Sequence, residues 1–478
     1  MKAKTISVAL SVALLIAAGG GAWWWQRASA AREIAAASLP ASPDLGQVPG
    51  AMRDALAAAE ARARSSFGAR AGLADLSRLY HANGFFNEAV TCYQGLEQIE
   101  PSEPRWLHRH AAILAGYGEI EPAIALWRRV VALAPSFLPA QLRLGDCELK
   151  SNHPTEAATV YNAVLQRDPG NSYALLGLAR LDYEAQRWEK AQERLETVVK
   201  QTDFNLGYDL IVTLYERTGQ PEKALAIRGA QKASGAFRDP PDAWLDDLMD
   251  VCFDPYRLAL TAGFIARNGD PAKAVKLLKR AIELAPEDVS SRFQLGTLSV
   301  AQRNFTVATE QLERCTRLAP DFADGWAQLS ALQTQLGDHS GAARTLASGL
   351  TNCPQSPGLH LMRARNLQKA GQPDEAIGEF RESIRLRPNE ADAYIELANF
   401  LISLGQTDAG VTLLQQSLEA EPGNPMALAT LAFHAITTGD ESSALRWFSK
   451  VRNQPRVPAN QIASLRTAFQ EQFGRPLR

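Results

Sequence analysis

Residues that carry chemistry are scarce in this chain. Its 478 residues include five cysteines, seven histidines and five methionines. Cys92, Cys147, Cys252, Cys315 and Cys353 are widely spaced, with no Cys-x-x-Cys and no Cys-x-x-Cys-His. That spacing excludes covalent haem attachment and a paired-cysteine zinc site, and the odd count argues against a complete disulfide framework. Cys92 and Cys315 fall where small apolar residues pack on a helix, so they read as core residues. There is no Gly-x-Ser-x-Gly elbow, no His-Glu-x-x-His, no Gly-Lys-Ser/Thr phosphate loop and no Gly-x-Gly-x-x-Gly after a strand. Without these, neither an enzyme nor a bound cofactor or metal is expected. An excess of one charge is lacking too. Fifty basic and 52 acidic residues leave a net charge of −2, which predicts no general affinity for nucleic acid or anionic membrane.

What the chain does have is a period. Ala89, Ala123, Ala157 and Ala191 are 34 apart, as are Ala274, Ala308, Ala342 and Ala376. Prolines follow seven of these eight alanines by twelve residues, at Pro101, Pro135, Pro169, Pro286, Pro320, Pro354 and Pro388, with Pro422 continuing the series. Fixed periods of this length mark stacked supersecondary units. With Ala89 as position 20, units start at 70, 104, 138, 172, 205, 255, 289, 323, 357, 391 and 425, giving eleven.

Each unit reads as a helical hairpin. Leu73, Leu76, Leu79 and Tyr80 lie at helical spacing, and a glycine at position 15 then ends the first helix, as at Gly84, Gly118, Gly219, Gly269, Gly337, Gly371, Gly405 and Gly439. Such a glycine suits the left-handed backbone just past a helix end. Pro154, Pro221, Pro271 and Pro373 sit where a second helix starts, a position that tolerates the missing N–H. The small residue at position 20 lets the two helices approach. The residue four later, as in Tyr93, Trp127, Tyr161, Phe380 and Phe448, is the large knob beside it.

Leu144-Gly145, Leu295-Gly296, Trp326-x2-Leu329, Leu76-x3-Tyr80 and Ala376-x3-Phe380, together with the prolines, resemble the signature of the tetratricopeptide repeat family over roughly 70–458. The resemblance implies an all-α, right-handed superhelical solenoid of stacked helix-turn-helix units. Asp203 replaces the proline of unit four, Gly410 replaces the alanine of unit ten, and unit five degenerates after Ala224.

Outside the repeats, Lys2 and Lys4 precede an uncharged run from Thr5 to Trp25. This reads as an export signal of bacterial appearance within residues 1–30. It is long enough to anchor in the inner membrane with Trp23, Trp24 and Trp25 at the far interface, and Ala28-Ser29-Ala30 offers a cleavage site if it is removed. Either route places the repeats in the cell envelope, periplasmic or secreted. Residues 31–69 read as a linker, with Pro40, Pro43 and Pro49, followed by a capping helix from Ala51 to Ser66. Residues 70–238 form a first array of about five repeats and 255–458 a second of six. Residues 459–478 form a C-terminal cap whose Ile462, Leu465, Phe469 and Phe473 share one side.

Between the arrays, residues 239–254 exceed the period. They hold six aspartates and no Lys or Arg, with Pro240-Pro241 in front and Trp244, Leu245, Leu248, Met249 and Cys252 at helical spacing. The pattern predicts a short acidic amphipathic helix. Three readings are open: a wedge sealing the joint between arrays, a partner-docking element anchored by Trp244 and Leu248, or a calcium site, which lacks the Asp-x-Asp-x-Asp-Gly loop.

In tetratricopeptide repeat proteins the concave groove is lined by positions 2, 5, 6, 9, 12 and 13. Carried over to this sequence, those positions are Arg105, His108 and Arg109 in unit two, Arg143 and Lys150 in unit three, and Tyr173, Arg180 and Tyr183 in unit four. This makes a basic, aromatic-bearing groove suited to carboxylate pairing and cation–π contact; arginines on a solvated helix face are the plainer reading. His108 and His110, two apart on a helix, face apart and read as separate structural or surface histidines. The second array places Leu260, Phe293, Leu361, Met362, Ile395, Ile402, Met426 and Phe433 at groove positions, a more apolar surface. The function expected from the resemblance is a non-catalytic scaffold binding a protein or peptide outside the cytoplasm. The alternative is an accessory to assembly or secretion of an envelope polysaccharide or lipid complex.

Overall fold

A computed structural model describes residues 25–46, 48–202, 204–230, 240–267, 269–452, 454, 457 and 459–476. The proposed signal's Lys2, Lys4 and apolar run through Trp24 lie outside the described residues, as do Asp203 and Asp239. Among the described residues no helix is long and apolar enough to cross a membrane.

Those residues form an all-α solenoid, and no strand occurs among them. Eleven helical pairs follow one another, from Ala69–Ala82 with Phe86–Ile99 to Pro425–Thr437 with Glu441–Arg452. Each pair is built as the period demands. The position-20 residues Ala89, Ala123, Ala157, Ala191, Ala274, Ala308, Ala342 and Ala376 are all fully buried. The knobs Tyr93, Trp127, Tyr161, Phe380 and Phe448 are buried beside them. Where unit ten has Gly410 in place of alanine, an added Cβ would come within 2.5 Å of Ile402 Cγ1 and 2.8 Å of the Ala398 carbonyl. The two helices of that pair approach too closely for even a methyl group.

The hairpin turns use the left-handed backbone at position 15, Gly84 at φ +87° and Gly118 at φ +82° among them. Three units without glycine adopt the same conformation, with Asn152 at +59°, Gln186 at +56° and Arg303 at +58°. The stacking geometry therefore imposes the turn even where the residue resists it.

The chain divides into two compact units: residues up to 218 with 233–261, and 219–232 with 262–478. In the first, helix Gly50–Ala63 packs on Ala69–Ala82, and Met52, Leu56 and Ala59 join Leu73, Leu76 and Tyr93 in one core. Charged groups also pin successive helices. Glu148, almost fully buried, accepts from Arg128 at 2.7 Å and stands 2.9 Å from the His153 ring. In the second unit, helix Ala459–Phe473 buries Leu465 and Phe469 against Trp447, Phe448 and Val451 of the last repeat. All five cysteines are free, and four of them are buried. Burial pushes the thiol of Cys92 up to about 12 and that of Cys315 to about 11.

Candidate functional site

Within the first unit, the acidic insertion lies on the repeats themselves. Its described part starts at Pro240. Asp242 caps a single α-turn, Ala243–Asp246, by accepting from the Leu245 amide at 3.2 Å. A 3₁₀ segment, Asp247–Val251, follows and ends in extended backbone at Cys252. The sequence pattern predicts one amphipathic helix; the structure breaks it. The reason is where the backbone groups go. Asn83 Nδ2 donates to the Val251 carbonyl at 3.1 Å, and the Phe253 amide donates to Asn83 Oδ1 at 2.6 Å. These bonds draw the tail of the segment out of the helix while Leu248, Met249 and Cys252 are buried beneath it.

The segment docks on the first helices of three successive repeats. From repeat one, Arg78 Nη2 donates to the Asp247 carbonyl at 3.2 Å, and Asn83 contributes as above. In repeat two, helix Pro104–Gly116 brings His108 Nε2 to 2.8 Å from Asp242 Oδ2, and Arg109 Nε donates to the Trp244 carbonyl at 2.8 Å. Repeat three supplies Arg143, whose Nε donates to the same Asp242 oxygen at 3.2 Å. The Trp244 indole stacks on Phe137 with centroids 3.6 Å apart and planes 13° from parallel, and meets the His108 ring edge-on at 5.5 Å. Aromatic pairs in these arrangements contribute beyond their buried area.

His108 is fixed in one tautomer. Trp127 Nε1 can only donate, and it donates to His108 Nδ1 at 3.1 Å. Nδ1 therefore carries no proton, and the neutral ring donates from Nε2 to Asp242. Burial, with Arg143 and Arg109 adding to it, holds the ring's pKa below its ordinary value against the pull of Asp242. For Asp242 burial works upward, but the hydrogen bond from His108, the Arg143 charge and the Leu245 amide outweigh it, so the carboxyl sits below its usual range. His81, one turn from Arg78, is held down to about 3 by burial and by Arg109, Arg257 and His108.

The residues expected to line the groove divide into two groups. Arg109 and Arg143 meet the insertion; Arg109 is only 3% exposed and Arg143 half-buried, so neither forms an open basic surface. Arg105 lies beside them but pairs with Glu103 at 2.8 Å. Lys150, Tyr173, Arg180 and Tyr183 lie further along. Lys150 is exposed and the other three half-buried. Tyr173 packs against Phe204 at 4.9 Å, and Tyr183 has Trp188 edge-on at 5.3 Å and the Arg217 guanidinium 5.5 Å above its ring. Trp244 and Leu248, the expected docking anchors, are docked within the chain, Leu248 at 3% exposure. His110 pairs with Glu97 at 2.8 Å, apart from His108.

Sequence reasoning left out Arg78, Asn83, Phe137 and Asp242. Arg78 had a signal, since it occupies groove position 9 of unit one. Asn83 and Phe137 lie at positions 14 and 34, outside the carried-over set. In the second array Met426 and Phe433 are exposed, Ile395 is buried, and Phe293 packs edge-on to Phe322 at 5.0 Å. Among the described residues no group of three His, Cys, Asp or Glu side chains could hold a metal ion.

Tetratricopeptide repeat family models match residues 111–172, 148–210 and 317–460. The chain belongs to the tetratricopeptide repeat family. Among known proteins, it is 32% identical over 153 residues to the cellulose synthase 2 operon protein C of Komagataeibacter xylinus, a match covering 32% of this chain and 12% of that protein. It is 22% identical over 342 residues to the CTR9 homologue of Arabidopsis thaliana, covering 69% of this chain and 29% of the other. The chain thus spans well under half of either relative. The crystal structure of yeast Tom70 aligns with 85% of this chain and 97% of its own at 12% identity, with a TM-score of 0.41.

Proposed function

We propose that the chain is a non-catalytic scaffold in the cell envelope, exported by its N-terminal segment, that binds a protein or peptide partner on the face formed by the first helices of its repeats. The observation that carries this reading is that the face already holds a peptide segment, residues 240–254, through side chains of three consecutive repeats. Beyond that segment, Lys150, Arg180, Tyr183 and Arg217 continue the same face with cationic and aromatic groups suited to a polar peptide. The test is capture from detergent-solubilised envelope by the wild type and by a Lys150→Glu/Arg180→Glu variant. A specific partner held only by the wild type supports the reading. Failure of both proteins to retain any partner sinks it. Export is tested by fusing residues 1–30 to alkaline phosphatase, which would be active only if the fusion leaves the cytoplasm.

A second reading, accessory to assembly of an envelope polysaccharide, is favoured by the likeness to the cellulose synthase 2 operon protein C. Glycan synthase subunits among the captured proteins would select it.

A further inference from the structure

We infer that the face of repeats one to three is a docking site for an acidic peptide carrying a carboxylate two residues before a tryptophan, and that the chain's own Asp242–Trp244 is a resident stand-in which such a peptide displaces. The inference rests on the scaffold reading above and names the chemistry of its ligand.

The insertion has two halves with different attachments. Residues 248–254 are held as a core element, with Leu248, Met249 and Cys252 buried and Asn83 bonded to the backbone on both sides of Cys252. Residues 240–247 are held by contacts that a separate peptide could also supply. Among them are one carboxylate between His108 and Arg143, one indole on Phe137, and the backbone carbonyls of Trp244 and Asp247 on Arg109 and Arg78. Trp244 stays half-buried, and Pro241 and Ala243 are exposed. The first half can therefore lift away without opening the core beneath the second.

The resident segment also satisfies the face incompletely. Arg78 Nε is buried without a hydrogen-bond partner. Arg109, almost wholly buried, has its Nη2 3.9 Å from Asp247 Oδ2, too far for a hydrogen bond. A buried cation not closely paired retains much of its desolvation cost. Five cationic side chains, Arg78, Arg105, Arg109, Arg143 and Arg257, gather on or beside this face, whereas the insertion has no Lys or Arg of its own. A ligand that places a second carboxylate against Arg109 and Arg78 would reach the unpartnered Arg78 Nε and pair Arg109 more closely than Asp247 does at 3.9 Å. Charge complementarity selects an acidic peptide, and the Phe137–His108 notch selects its aromatic residue.

The test uses a labelled synthetic peptide with the sequence of residues 240–250 and the full-length chain. Binding is read by fluorescence anisotropy for the wild type and for Asp242→Ala/Trp244→Ala, in which the resident half is released. The variant is expected to bind the peptide at least tenfold more tightly than the wild type, which must first expel its own segment. A peptide with Asn in place of the aspartate before Trp should lose at least tenfold. If the double variant does not keep the wild-type circular dichroism, Asp242→Asn takes its place, with the same ranking expected. Equal binding by wild type and folded variant, or equal binding of the Asn peptide, would overturn the inference. If the peptide fails to bind while the envelope partner is still captured, this inference falls and the scaffold reading stands. If both fail, both fall.

Discussion

Acid should weaken the first repeats through His81, and the size of the effect follows from its surroundings. The ring is buried, lies 3.0 Å from the Tyr93 hydroxyl through Nδ1, meets Phe86 edge-on at 5.7 Å, and faces the guanidiniums of Arg109 and Arg257. Burial first, then those charges and His108, hold its folded pKa near 3. The unfolded chain titrates at the ordinary value of about 6.5. Between these values the unfolded state binds a proton that the folded state refuses, so the contribution is fully present above pH 6.5 and is lost as pH falls toward 3. The slope is about 1.4 kcal/mol per pH unit, which gives about 2 kcal/mol lost at pH 5. The perturbation is His81→Asn, which keeps a polar atom near Tyr93 but removes the titration. Any constant cost of the asparagine cancels, because only the pH dependence of the difference matters. Urea unfolding at pH 7.5 and pH 5 should show the wild type losing about 2 kcal/mol more than the variant. Imidazole NMR shifts provide the direct check. A His81 ring titrating near pH 6.5, or a wild-type-minus-variant difference that does not change with pH, would refute the reasoning.

Glycine substitutions should split by space and not by propensity. In Gly177→Ala the new Cβ would lie 2.3 Å from Tyr161 Cζ, a ring that is itself buried, so thermal unfolding should show a loss of about 2 kcal/mol. Gly378→Ala, in helix Pro373–Leu386 with nothing within 4 Å, should gain about 0.5–1 kcal/mol. Gln186→Gly and Arg303→Gly remove side chains from left-handed backbone and should each raise stability by about 1 kcal/mol in urea unfolding. Under native conditions a thiol reagent should modify at most Cys353, the one half-buried cysteine, on the minutes scale, and all five in urea; fast native labelling of Cys92 would contradict its burial.

The repeat fold was legible because one packing problem is solved eleven times. Each solution leaves a small residue, a knob four later and a turn in fixed phase, so Ala123 with Trp127 or Ala376 with Phe380 identifies a hairpin from the sequence alone. Single departures are not readable that way. Gly410 looks like a lapse in the pattern until the Ile402 side chain is seen to fill the space a methyl group would need. Gln186 and Arg303 give no sign in their residue type that their backbone is left-handed; only their phase at position 15 marks it. The insertion was legible in composition and opaque in placement. Its aspartates and Trp244 stand out, but what they meet lies 99 to 169 residues earlier, beyond the reach of any local pattern. His108 shows the same limit. Two residues from His110 it reads as one more isolated ring, and only Trp127 on one nitrogen and Asp242 on the other give it a role.

That long-range docking has a consequence for cooperativity. In an ordinary solenoid each repeat touches only its neighbours, so stability is a sum of intrinsic and nearest-neighbour terms and the end repeats fray first. Here residues 240–254 bind Arg78 and Asn83 of repeat one, His108 and Arg109 of repeat two, and Arg143 of repeat three. A segment attached to three units adds a coupling that nearest-neighbour stacking lacks, because opening any one of them exposes part of the segment's buried surface. Helices Ala69–Ala82, Pro104–Gly116 and Leu138–Lys150 should therefore share one opening free energy in native-state hydrogen exchange. In Asp242→Ala/Trp244→Ala the carboxylate between His108 and Arg143 and the indole on Phe137 are gone, while Arg78 and Asn83 still hold the rest of the segment on repeat one. Repeats two and three should then separate from repeat one, with protection falling at least tenfold in the Leu138–Lys150 helix and least in Ala69–Ala82. If the three helices already exchange with distinct free energies in the wild type, the insertion is a passenger on the repeats and not a clamp across them.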